Sequence, residues 1–122
     1  MTTKFQQEGS TINYINTGSA IAAGSVVKLQ NTIGIALVDI PATTGVGAVA
    51  IEGVFAGVPK VSAAVFAAGE KLLWDVSAGQ FDDSAATPAT GDVMGAAIAW
   101  VAGLNTETTC TIKLTPGNST VT

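Results

Sequence analysis

The feature that most constrains the fold is a rhythm of short apolar or β-branched runs, each separated from the next by glycine or small polar residues. Runs of this length, bounded by turn residues, are typical of strands in a small sandwich or barrel. We therefore predict an all-β fold. The candidate strands are residues 11–15, 25–30, 33–40, 47–55, 71–76, 93–101 and 108–114.

One segment departs from the β pattern, the alanine-rich run at residues 62–69. Ser62 could cap the first amides of a short helix, and Gly69 could end it in a left-handed conformation. The predicted fold class is thus a small single-domain β-barrel or sandwich with one short helix and an extended N-terminal arm.

Two stretches of the chain resemble each other, AAGSVVKL at residues 22–29 and AAGEKLLW at residues 67–74. Each is followed by a glycine-alanine strand, at residues 33–38 and 94–99. We expect two similar hairpin units, each entered through a glycine turn, to pair around a barrel-like core. Chance similarity in a sequence rich in alanine and glycine is the alternative.

The 122 residues suffice for one domain with its own core. We predict an N-terminal arm at residues 1–10, a β-rich domain at residues 11–114 and a flexible polar tail at residues 115–122. The arm has one large apolar side chain after Met1, that of Phe5. Such an arm can add as a strand to the sheet edge of another protein, or it can simply fray.

The composition of the chain argues against several classes of function. The chain has no histidine, no arginine, one cysteine and only 11% charged residues. General acid–base, metal and nucleophilic sites draw on those residue types, so we expect a protein that is not an enzyme and has no cofactor or metal. The net charge of −4 disfavours nucleic-acid binding. No apolar run reaches the roughly 18 residues of a membrane-spanning helix.

The N-terminus lacks the basic segment and apolar stretch of a signal peptide, which predicts synthesis in a reducing cytoplasm. Cys110 lies in a strand-like context without a second cysteine or a histidine base. We expect it to be a small core residue.

Two motifs match known signatures only in their spacing. Residues 45–50 (GVGAVA) fit the dinucleotide-binding glycine pattern, but a β-branched strand follows where that site requires a helix. Ser25 and Lys28 have the Ser-x-x-Lys spacing of penicillin-binding enzymes, but a strand would point the two side chains to opposite faces. Neither motif predicts an activity.

Acidic side chains cluster near residues 75–83. Asp75, Asp82 and Asp83 faintly resemble a calcium loop, without its alternating acids and terminal glutamate. They are also the acids that a small hydrolase would use, although neighbouring acids in a polar loop usually both face water. We expect a solvated hairpin tip here.

Three aromatic residues bear on a different alternative. A carbohydrate-binding or adhesion module would expose Tyr14, Trp74 or Trp100 as a platform on which sugars stack. We favour core positions for all three.

The order of several segments resembles that of the small capsid cement, or decoration, proteins of tailed bacteriophages. The likeness runs from Phe5 to about Leu114, and Trp74-Asp75 matches the aromatic residue and aspartate that usually follow the second glycine turn. No single motif is diagnostic. The segments are residues 5–14 (FQQEGSTINY), 22–27 (AAGSVV), 33–36 (IGIA), 52–55 (EGVF), 69–75 (GEKLLWD) and 95–97 (GAA).

The resemblance implies a structural protein of the virion, a homotrimer on the outside of an icosahedral shell. Its partner would be the major capsid protein, and it would stabilise the mature shell by bridging capsid subunits. The N-terminal arm would reach onto the capsid protein, with Phe5 as anchor and Gln6, Gln7 and Glu8 offering polar contacts. A carbohydrate-binding or adhesion module displayed on the virion is the alternative.

Overall fold

A computed structural model describes residues 7–122, and this part of the chain is all-β. Its strands form two antiparallel sheets, one of four strands and one of six. The strands are β1 (Thr11–Asn16), β2 (Val26–Lys28), β3 (Ile33–Ala36), β4 (Gly45–Ala50), β5 (Gly53–Pro59), β6 (Lys71–Asp75), β7 (Gln80–Asp82), β8 (Val93–Ala99), β9 (Thr109–Leu114) and β10 (Thr120–Val121).

The two sheets pack as a sandwich. The smaller sheet has the order β1-β4-β3-β2, and the larger has β5-β9-β8-β6-β7, with β10 beside β8. Ile33 and Ile35 of β3 enter the main core, while Ala36 points to the other face of the small sheet and joins a second cluster around Val49. Because successive side chains of a strand alternate between faces, β3 contributes to both clusters and is buried throughout.

The larger sheet also curls toward a barrel. Lys60, next to the end of β5, forms a parallel bridge with Phe81 of β7, and the Val61 amide donates to the Phe81 carbonyl at 2.9 Å. The first and last strands of this sheet therefore meet at one end. The predicted all-β barrel or sandwich is confirmed.

The similarity between residues 22–29 and 67–74 corresponds to a structural repeat. The strand order β1-β4-β3-β2 recurs as β5-β9-β8-β6. The Gly24 amide donates to Ala36 at 2.7 Å, as the Gly69 amide does to Ala99 at 2.7 Å. Gly24 and Gly69 have the same left-handed φ, +87° and +86°. Strand β7 and its flanking loops are inserted in the second half.

A further pair of contacts extends the equivalence to the loops. Ile21 and Ile40 form an isolated antiparallel bridge in the first half, as Phe66 and Gly103 do in the second. Each bridge is made of two reciprocal amide-to-carbonyl hydrogen bonds. The two hairpin units expected from the sequence therefore share their turns, strands and closing bridges.

The helix predicted at residues 62–69 is wrong, and residues 7–122 contain no helix. Phe66 is held in the bridge to Gly103, and the Ser62 carbonyl accepts from the Thr106 amide at 2.7 Å. These long-range bonds replace the few local bonds that so short a helix could form. Within the described residues, no helix has the length and apolarity needed to cross a membrane.

The single strand predicted at residues 47–55 is instead two strands in different sheets. The chain leaves β4 at Ala50 and enters β5 at Gly53, whose φ of +118° is open mainly to glycine. Strand β10 was not expected, and β7, although it is the second strand of the hairpin predicted near residues 75–83, was absent from the candidate strands. Strand β10 lies within the predicted tail at residues 115–122, where Thr120 and Val121 pair with Met94 and Val93.

Candidate functional site

The predicted capsid-binding arm is described only in part. Phe5 and Gln6 lie outside the described residues. Gln7 and Glu8 are exposed and lead into β1 without regular structure. Within residues 7–122, β1 pairs on one side only, with β4, so the arm departs from an edge of the small sheet.

The acid at the hairpin tip organises its own turn. The Asp75 carboxylate accepts hydrogen bonds from the Ser77 and Ala78 amides at 3.1 Å each and from the Ser77 hydroxyl at 2.9 Å. The Ala78 amide and then the Ser77 hydroxyl favour the ionised form and lower the pKa of Asp75. This carboxylate caps the β6–β7 turn.

Other acids are likewise engaged by nearby backbone. Asp82 accepts from the Asp83 amide at 2.8 Å, and Asp83 accepts from the Ala85 amide at 3.0 Å. Glu70 accepts from the Ser84 amide and hydroxyl and from the Ala67 amide, and these bonds, led by that of the Ser84 amide, lower its pKa. Over residues 7–122 no three metal-ligating side chains form a group.

The remaining motif residues occupy structural positions. Residues 45–50 form β4. Ser25 precedes β2, and the Lys28 ammonium donates to the Gly91 carbonyl at 2.8 Å, tying β2 to the loop before β8. Cys110 is buried, as expected, and burial raises the pKa of its thiol to about 11. Its thiol is therefore protonated at neutral pH.

The aromatic residues divide between core and surface. Trp74 is buried in the main core, with its ring centroid 4.8 Å from that of Phe81. Tyr14 is half-buried against the second cluster. Trp100 is 53% exposed, so the core position expected for it is wrong. It directly follows Ala99, the buried last residue of β8, and its amide donates to the Thr111 carbonyl at 2.9 Å, so the alternation of side chains along the strand places its ring on the solvent side.

The buried Lys60 was missed by sequence reasoning. Its side chain is fully buried, and the ammonium donates to the carbonyls of Val61, Ser62, Leu104 and Glu107 at 2.9–3.3 Å. The Phe66 ring lies 5.7 Å away. The only indication of its burial in the sequence was its position between the apolar residues Val58 and Val61. The ammonium joins the loop at residues 61–69 to the loop at residues 100–108.

Two apolar surfaces lie at equivalent places in the two halves. In the first half, a shallow pocket of about 390 Å³ surrounds the Ile21–Ile40 bridge; we call it the groove. In the second half, Val65 and Leu104 flank the Phe66–Gly103 bridge and are 56% and 58% exposed; we call this pair the ridge. The groove is lined by Ala20, Ile21, Ala22, Asp39, Ile40 and Pro41.

Comparison with known proteins places the chain in one family. Residues 6–114 match the family model described as phage cement protein. Searches of the curated proteins and of the solved structures each found no significant match. The matched span contains both sheets as far as the end of β9 and covers most of the 122 residues. The chain therefore belongs to the phage cement protein family.

Proposed function

We propose that the protein binds the outer surface of a mature icosahedral phage shell and stabilises the shell by bridging subunits of the major capsid protein. The family match over residues 6–114 carries this proposal. The carboxylates of Asp75 and Glu70, two acids near the β6–β7 hairpin, accept hydrogen bonds from nearby backbone amides and so stabilise local structure. The protein acts by binding and performs no chemistry on its partner.

The proposed arm makes the shell contact, with Phe5 as its apolar anchor and Gln6, Gln7 and Glu8 as polar partners. The protein assembles as a homotrimer, so three arms engage neighbouring capsid subunits together. A single arm of millimolar affinity contributes about 4 kcal/mol. Linking three such arms raises the effective concentration of the second and third, and the trimer dissociates slowly.

Stabilisation follows from preferential binding. A protein that binds only the expanded shell lowers the free energy of that state by mass action. The free energy needed to open the shell under heat or internal pressure therefore rises. The complex lies on the virion exterior, after synthesis of the protein in the host bacterial cytoplasm.

Cosedimentation with purified shells tests this function. The protein is mixed with expanded, undecorated shells of the cognate phage and, in parallel, with the unexpanded precursor. We expect saturable binding to the expanded shell and an increase in its disruption temperature. Absence of binding to either shell would overturn the proposal.

Removal of the arm tests its role. Deletion of residues 2–8 spares Ser10, whose carbonyl accepts from the Ile51 amide at 3.0 Å, so the domain should fold. We expect cosedimentation to fall at least 100-fold in affinity, while the oligomeric state and thermal midpoint stay unchanged. Phe5→Ser should reproduce most of the loss, and Val101→Ser, which truncates an exposed apolar side chain outside the arm, is the matched control. Full binding by the deletion variant would refute the arm model.

Exposure of Trp100 favours a second candidate function, a carbohydrate-binding or adhesion module displayed on the virion. In a Trp74→Phe variant, Trp100 is the sole tryptophan and reports on its own surroundings. Sugar binding should then shift its emission, and Trp100→Ala should abolish retention on the same glycan. An emission spectrum unchanged across a glycan panel would remove this candidate.

A further inference from the structure

The outer face of the larger sheet carries a row of alternating charged and apolar side chains. Ile98 of β8 lies opposite Lys71 of β6 on one side and opposite Lys113 of β9 on the other, and Lys113 lies opposite Val54 of β5. Directly paired residues project from the same face of a sheet, so the four side chains form one line across four strands. Lys71 and Lys113 are exposed, Val54 is 44% exposed and Ile98 is half-buried. We call this line the lysine row.

Trp100 lies beside the lysine row, on the same face. It follows Ile98 by two residues, and side chains two apart along a strand direction share a face. It is 53% exposed, and the Lys113 ammonium lies 6.0 Å from the centroid of its ring. An exposed indole next to an ammonium presents an apolar platform and a cation to the same ligand.

The corresponding face of the small sheet is covered. Ala36 and Ala99 hold equivalent places in the two halves, so Ile35 corresponds to Ile98. Ile35 is 3% exposed and lies in the main core between the sheets. The first half therefore packs this face against the larger sheet, whereas in the second half Trp100 and the lysine row stay accessible to a ligand.

The charge of the lysine row is opposite to that of the chain, whose net charge is −4. Among the lysines of residues 7–122, Lys28 and Lys60 donate to backbone carbonyls, and the other two are those of the row. The acid next to the row, Glu70, accepts hydrogen bonds from the loop after β7. Glu52 precedes β5, at the far end of the row. An anionic ligand is therefore attracted to the end of the row beside Trp100.

The alternation along the row distinguishes between kinds of anionic partner. A protein interface gathers its apolar anchors at a centre within a polar rim, whereas here an ammonium separates Ile98 from Val54. Two cations are too few for the cationic stripe that nucleic-acid phosphates require. An acidic polysaccharide has the complementary pattern, because each of its sugars presents an apolar ring face beside a carboxylate. Two strand spacings, about 10 Å, separate the strands that carry the two lysines, so one polymer can reach both.

We propose that Trp100 and the lysine row bind an acidic polysaccharide, with a sugar ring stacked on the indole and carboxylates paired with Lys113 and Lys71. The inference rests on the adhesion module, the second candidate function, and names the class of its ligand. The N-terminal arm departs from an edge of the small sheet, so this surface is separate from the arm proposed to hold the shell. A protein bound to a shell can therefore also bind the polysaccharide.

Affinity electrophoresis of the purified protein tests the site, with polygalacturonate in the gel and uncharged dextran in a parallel gel. We expect polygalacturonate alone to retard the wild type. Lys71→Gln/Lys113→Gln should weaken binding about tenfold, because two exposed ion pairs are lost. Ala85→Glu/Thr87→Glu lowers the net charge by the same two units on an exposed loop and is the matched control. It should bind within about twofold of the wild type, since salt screens distant charges.

The indole is tested in the same gels. Trp100→Ala should abolish retention, and Leu37→Ala should be retained like the wild type. Leu37 is the matched control because it is 46% exposed and corresponds to Trp100 in the first half. A wild type that polygalacturonate does not retard, equal retardation by dextran, or full binding by the lysine variant would each overturn the inference. Equal affinity for poly-L-glutamate would overturn it in favour of an acidic protein partner.

Shell binding is measured separately, so the two proposals can fail independently. If polygalacturonate retards the wild type as expected but the protein does not cosediment with any shell, the polysaccharide site stands and the capsid function fails. If the wild type cosediments but no polysaccharide retards it, the capsid function stands and this site fails.

Discussion

At the scale of single residues, Lys60 joins two loops of the second half, those at residues 61–69 and 100–108. Its ammonium is fully buried, and its hydrogen-bond partners are four backbone carbonyls rather than a carboxylate. A buried ammonium loses hydration, and only several hydrogen bonds offset that loss. Asn16 holds the corresponding place in the first half, where its amide nitrogen donates to Ser19 and Pro41.

Lys60→Met should therefore destabilise the protein by about 2–4 kcal/mol, since the carbonyls lose their shared donor. Urea denaturation followed by circular dichroism measures the free energy of unfolding. Lys71→Met, at an exposed lysine, is the matched control and should change it by less than about 0.5 kcal/mol. Equal stability of the two variants would show that the carbonyls find other donors.

At the scale of secondary structure, β8 changes partners along one edge. The end of β8, at residues 97–99, pairs with β9. The start of β8, at Val93 and Met94, pairs with β10, which the chain reaches after the turn that follows β9. Gly95 lies between these pairings with a φ of +85°, and a Cβ atom there would lie 2.6 Å from the Asn118 carbonyl oxygen. Only glycine allows both that backbone conformation and that close approach.

Gly95→Ala should cost about 2–4 kcal/mol, the sum of left-handed strain and the clash with the turn. Gly117→Ala is the matched control, because Gly117 has a φ of +87° but open space around it. Strain alone should cost that variant about 1 kcal/mol. Thermal unfolding of both variants gives the comparison. A Gly95 variant no less stable than the Gly117 variant would mean that the turn moves aside.

At the scale of the whole molecule, two similar halves share one core. Ile33 and Ile35 come from the small sheet, yet they pack with the larger sheet's Leu72, Phe81 and Ile112. The second cluster, around Val27 and Val49, belongs to the small sheet alone. Because β3 contributes to both clusters, loss of one should disrupt the other.

The two sheets should consequently unfold in a single transition. Tyr14 is the chain's one tyrosine and lies against the small sheet's cluster, while Trp74 lies in the main core. In a Trp100→Phe variant, fluorine NMR of fluorotyrosine and the fluorescence of Trp74 report on the two sheets separately. Their urea midpoints should coincide. Two distinct midpoints would mean that the small sheet melts independently.

Sequence reasoning succeeded where local chemistry decides structure. Glycine turns at Gly24 and Gly69, the hairpin tip after Trp74 and the buried Cys110 all follow from residue type and spacing. Sequence reasoning failed where contacts with residues distant in the chain decide the structure. Residues 62–69 have local features of a helix but pair with Gly103, and Trp100 is an aromatic residue placed beyond the end of its strand.

The sequence alone determined the all-β class, the repeated glycine turns and the family resemblance, because these depend on side-chain periodicity and on glycine's backbone freedom. Tertiary structure decided that residues 47–55 divide between two sheets and that the Lys60 ammonium donates hydrogen bonds to backbone carbonyls. It also decided that one half carries a groove where the other carries a ridge. The physical reason is that these features depend on contacts between residues far apart in the chain, which local propensity does not encode.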